Sequence, residues 1–164
     1  IGALAGVAAA QEARLHHVKP HGALYNMVAR DRTMADAVAR AIFTVDSTLI
    51  LFGLSGSCLL DAGEAVGLRT AAEVFADRAY LSDGSLVPRG QPGAIIVDPV
   101  EVTERALCLV QDGAVITRDG DVIELRRETI CVHGDTPGAG ELAAGIRRSL
   151  EDARIRVLPL DTSG

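Results

Sequence analysis

Apolar residues along the chain switch between two spacings, and the switches mark out its elements. The opening stretch IGALAGVAAA reads as a helix ending near Ala13. Leu15 to Lys19 reads as a strand stopped by Pro20, which has no backbone N–H to offer a neighbour. From about Thr33, residues Met34, Val38, Ala41, Ile42 and Val45 recur at helical spacing, with Thr33 and Asp36 as a loose capping box. Thr48 to Phe52 is a continuous apolar run ended by Gly53, the pattern of a strand covered on both faces. Ser57 to Val66 reads as a helix closed by Gly67, and Arg69 to Phe75 as the next strand.

Residues 76–94 carry turn signals (Asp83-Gly84, Pro88, Gly90 to Gly93) and no periodicity, and so long a loop inside a compact domain is usually functional. Pro99 opens a helix bearing Val102, Ala106, Leu109 and Val110, and Asp119-Gly120 sets a hairpin within Val115 to Leu125. A strand from Thr129 to His133, a helix with Leu142, Ile146 and Leu150, and a last strand from Arg154 to Leu158 complete the chain. Strands alternating with amphipathic helices predict an α/β fold with a parallel sheet and right-handed crossovers. Residues 1–164 are expected to form a single domain, since a chain of this size buries roughly 70% of its unfolded surface. In such folds ligands meet the carboxyl ends of the strands.

Three of those ends are polar in the same way. Side chains alternate along a strand, so His17, Lys19 and His21 share one face, Glu73, Phe75 and Asp77 another, and Cys131, His133 and Asp135 a third. Any one of these residues taken singly reads as a satisfied surface group, and Glu73 with Arg78 reads equally well as a structural ion pair. Burying an unpaired charge is costly, so the repetition on three strands points to one functional pocket. The formal net charge of −6 and a positive complement that is almost all Arg argue against a nucleic-acid partner. The apolar start is too short to span a bilayer, and three cysteines without a CxxC pair indicate neither a disulfide framework nor a zinc ribbon.

Gly138-Ala139-Gly140-Glu141-Leu142-Ala143 matches a dinucleotide fingerprint, with Asp161 at the ribose distance, but residues 133–137 intervene after the strand. Thr136 as a cap, with Pro137 in the first turn, is the plainer account. His17, His21 and His133 with Asp77 or Asp135 lack dedicated ligand spacing, so no metal site is assigned.

His17-Val18-Lys19-Pro20-His21-Gly22-Ala23-Leu24-Tyr25-Asn26, Leu68 to Tyr80, and Ile130-Cys131-Val132-His133-Gly134-Asp135 together resemble the LamB/YcsF family, in order and over essentially the whole chain. The resemblance implies a distorted β/α barrel related to the polysaccharide deacetylases. The family's acidic, His-containing N-terminal motifs are not present, and Ile1 opens a helix without an initiator Met. On the resemblance this is the C-terminal two-thirds of a barrel lacking its first strands, with roughly 90 of ~250 residues missing, and inactive alone.

The implied activity is that of the first of three components of a cytoplasmic ATP-dependent 5-oxoprolinase: hydrolysis of a small lactam to glutamate, with ATP and Mg2+, together with subunits B and C. Lys19, His21, Glu73, Asp77, His133 and Asp135 are then the catalytic candidates, and Asn26, Arg78, Arg89 and Gly134 the substrate- and phosphate-binding ones. The long loop bearing Arg89 is expected to close over the site. Two other readings stay open, a metal-dependent carbohydrate deacetylase by analogy of fold and a non-catalytic subunit that stabilises its partners.

Overall fold

The structure is a computed structural model and describes residues 1–134 and 138–160. Its internal contacts divide the chain into two compact units, Ile1–Ala72 and Glu73–Gly164. Both are built from helices and parallel strand pairs, so the fold is α/β.

The first unit contains α1 (Gly2–Ala9), β1 (His17–Val18), α2 (Ala23–Arg30), α3 (Arg32–Val45), β2 (Ile50–Leu54), α4 (Cys58–Val66) and the start of β3 (Thr70–Phe75). β1 pairs in parallel with β2, His17 opposite Ile50 and Val18 opposite Leu51. Leu51 donates its N–H to the Arg69 carbonyl. Val28, Ile42, Leu49, Leu51, Leu59 and Leu68 form the buried core that these elements share. The helical spacing expected from Thr33 is present, but the cap is Asp31, whose carboxylate accepts from Met34 N–H at 3.0 Å.

The apolar pattern predicts no element between Pro20 and Thr33, yet α2 lies there and buries Tyr25 and Val28. It is eight residues long and is separated from α3 by Asp31 alone. Its entry depends on Gly22, at φ 62° and ψ −132°, which a residue with a Cβ scarcely adopts.

The second unit contains the end of β3, then α5 (Pro99–Gln111), β4 (Ala114–Ile116), β5 (Val122–Glu124), β6 (Thr129–Cys131) and α6 (Ala139–Asp152). β3 pairs in parallel with β6, with Glu73 opposite Thr129, Val74 opposite Ile130 and Phe75 opposite Cys131. α5 begins at Pro99, capped by Asp98, and packs against α6, which buries Ile146 and Leu150. β4 and β5 form the expected antiparallel hairpin around Asp119-Gly120.

Three expected elements are corrected. α1 stops at Ala9, ahead of a turn containing Glu12 at φ 55°. β6 stops two residues short of His133. The stretch from Arg154 to Leu158 is not a strand; Val157 and Leu158 are exposed, and strand-like spacing without a paired neighbour leaves the backbone unsatisfied by a ladder.

Candidate active site

The site in the second unit follows from the register of β3 and β6. Phe75 stands opposite Cys131, so two residues further along each chain Asp77 and His133 fall on one face. Their side chains meet, with His133 Nδ1 2.7 Å from Asp77 Oδ2. An ionised carboxylate only accepts, so in this contact Nδ1 is the donor and Nε2 is the ring nitrogen left for other partners. Asp77 is buried, its side chain 6% exposed, whereas His133 at 21% retains access to solvent. The Phe75 ring lies nearly parallel to the imidazole, 22° between planes and 5.7 Å between centroids. Asp77 Oδ1 is buried and has no hydrogen-bond partner among the described residues.

Asp77 sits in a turn whose residues, 76–80, are all buried. The Tyr80 hydroxyl accepts from Phe75 N–H at 2.8 Å, and Ile96 N–H donates to the Asp77 carbonyl at 2.9 Å. Burial pushes the Tyr80 phenol well above its ordinary value, opposed by the bond from Phe75. Arg78 donates from Nε to the Ala94 carbonyl at 3.1 Å and from Nη2 to the Val87 carbonyl at 2.6 Å. Burial pulls its guanidinium below the usual value, Arg89 adds to that, and Asp77 opposes it.

These bonds give the long loop over residues 76–94 an ordered root. Ala79 exchanges backbone bonds with Ala94 and Val87, and these three residues form a small buried core. The root of the loop is therefore a fixed part of the site, and the exposed tip is 88–93, including Arg89. The apolar residues Leu86, Val87 and Ala94 are the sequence signal for this anchoring. Tyr80 gives no such signal, because its partner is a backbone amide and that contact leaves no periodic pattern.

Of the other expected site residues, Glu73 is buried in β3 and Gly134 is exposed beside His133. Asp135, like Thr136, Pro137 and Asp161, lies outside the described residues. In the first unit Lys19 Nζ lies 5.3 Å from the Tyr25 ring centroid, a cation–π distance. His21 and Asn26 are exposed, and Asn26 Nδ2 is 3.5 Å from the Gly22 carbonyl. His17 stacks on Phe52 with 4.5 Å between ring centroids. Among the described residues no group of three or more His, Cys, Asp or Glu is placed to hold a metal ion, and no helix is long and apolar enough to cross a membrane.

The family model described as the LamB/YcsF family matches residues 1–163. The chain belongs to that family. Among LamB/YcsF relatives, the 5-oxoprolinase A-subunit of Bordetella pertussis is 56% identical over 157 residues, covering 96% of this chain and 62% of the relative. The 5-oxoprolinase A-subunit of Pyrococcus abyssi is 50% identical over 160 residues, covering 98% and 63%. The crystal structure of the lactam utilization protein from Thermus thermophilus matches with a TM-score of 0.87 at 43% identity, over 96% of this chain and 62% of that one. The present chain thus spans about 62% of the length of these relatives.

Proposed function

We propose that this LamB/YcsF chain carries the chemical centre of the A-subunit of an ATP-dependent 5-oxoprolinase, acting in the cytoplasm with subunits B and C. In this reading the complete protein is a distorted β/α barrel of polysaccharide-deacetylase type. The observation that carries the proposal is the Asp77–His133 pair at 2.7 Å, in a chain whose relatives are named as 5-oxoprolinase A-subunits.

An unstrained lactam is a poor electrophile because its C–N bond is resonance-stabilised. Phosphoryl transfer from ATP, bound with Mg2+ as a co-substrate, to the lactam oxygen removes that protection. Water then adds at the activated carbon and the ring C–N bond breaks, the nitrogen leaving with a proton. A second water hydrolyses the resulting acyl phosphate to glutamate and phosphate. His133 Nε2 takes the proton from the attacking water, while Asp77 holds the ring in the required tautomer and balances the imidazolium charge. Glu73 and Asp135 supply further carboxylates, and His21 carries a proton. Lys19, Asn26, Arg89 and Gly134 meet the phosphate or the substrate carboxylate. The family resemblance gives Arg78 a share in that task, but its two bonds to loop carbonyls favour a role in shaping the site.

The test is reconstitution of the full-length protein with its partners, following ADP and glutamate together. The expected result is equal formation of both, dependent on 5-oxoproline. ADP release that ignores the lactam, or turnover of an acetylated sugar in its place, contradicts the proposal.

A further inference from the structure

Arg105, on α5, belongs to none of the family motifs and to none of the polar strand ends. It reaches back to the turn that carries Asp77. Its Nε donates to the Ala76 carbonyl at 3.1 Å and its Nη2 to the Arg78 carbonyl at 3.0 Å. One guanidinium therefore holds the peptide oxygens immediately before and after Asp77, and the Asp77 carbonyl between them is held by Ile96 N–H. Three successive carbonyls are fixed in this way, which fixes the direction in which the Asp77 side chain leaves the backbone.

The planar fork of an arginine suits this task, because two donors in one rigid group set the relative position of two acceptors. The side chain is half-buried, its Nη1 also lies 3.5 Å from the Ile116 carbonyl, and partial burial lowers its pKa against the opposing pull of Glu101. A half-buried guanidinium that spans two carbonyls of one turn restricts that turn more than a single backbone bond would. Such a restraint suits a turn that must present one carboxylate oxygen within hydrogen-bond reach of a particular ring nitrogen.

We infer that Arg105 is a positioning residue for the Asp77–His133 pair: it sets Asp77, and through Asp77 the tautomer and orientation of His133. The consequence for turnover rests on the catalytic reading of that pair. The effect on the imidazole does not.

The experiment compares Arg105→Ala and Arg105→Lys with the native residue in the full-length protein. Imidazole 15N resonances of His133, assigned by their loss in His133→Gln, report which nitrogen holds the proton, and kinetics of the assembled enzyme run alongside. The native protein is expected to hold the proton on Nδ1. Arg105→Ala is expected to show mixed tautomers and a kcat lower by on the order of 10²-fold with little change in KM. Arg105→Lys keeps the charge but not the fork, and is expected to fall between without restoring the native tautomer. It carries the test alone if the alanine variant does not fold. A native tautomer in both variants overturns the inference, whatever happens to kcat. Mixed tautomers with unchanged kcat uphold it and remove the catalytic reading of the pair instead.

Discussion

Asp77 is a carboxylate buried beside an imidazole, and that environment defines what it can do. Asp77→Asn keeps the shape but turns an acceptor into a group that can also donate, so His133 loses its fixed tautomer. The expected outcome is a fall in kcat of about 10²–10⁴-fold in the assembled enzyme, measured by lactam-dependent ADP release. The alternation that puts Asp77 and His133 on the polar faces of their strands was legible in the sequence, but the pairing and register of β3 with β6 that bring the two together were not. The supports around them were not, because Arg78, Tyr80 and Arg105 bond to backbone atoms. Tyr80 offers a separate prediction. Its folded pKa lies above the ordinary 10.0, so its contribution is fully present below that pH and is lost as pH rises through the folded value. Thermal unfolding on the alkaline side is expected to lose stability more steeply in the native chain than in Tyr80→Phe. Equal slopes contradict the assignment.

Helices bounded by clear punctuation were readable in advance, and α4 between Ser57 and Gly67 and α5 from Pro99 appear where that punctuation placed them. Elements defined by their neighbours were not readable. The residues around Val157 have strand spacing without a ladder, and α2 is a single short helix held by the burial of Tyr25 and Val28. Two substitutions test how the first unit is held. Asp31→Ala removes the α3 cap and is expected to cost about 1 kcal/mol by denaturant titration. Gly63 lies where α4 presses on the sheet, and a Cβ there meets Leu51 Cδ2 at 2.8 Å and Thr70 Cγ2 at 2.9 Å. Gly63→Ala is therefore expected to destabilise by about 1–3 kcal/mol, even though alanine is the better helix former.

For the molecule as a whole, the relevant scale is that of its relatives, of whose length the chain spans about 62%. The proposed reaction needs ATP, a lactam and partner subunits, and the 164 residues assayed alone are expected to release no ADP in response to 5-oxoproline. The central claim is that Asp77 and His133 act as one unit on the attacking water. The most direct measurement is a double-mutant cycle of Asp77→Asn and His133→Gln in the reconstituted enzyme, read as kcat. If the pair is the chemical centre, each single change is severely damaging and the double change is scarcely worse than the worse single one. Near-native turnover in His133→Gln, or losses that simply multiply, would contradict it.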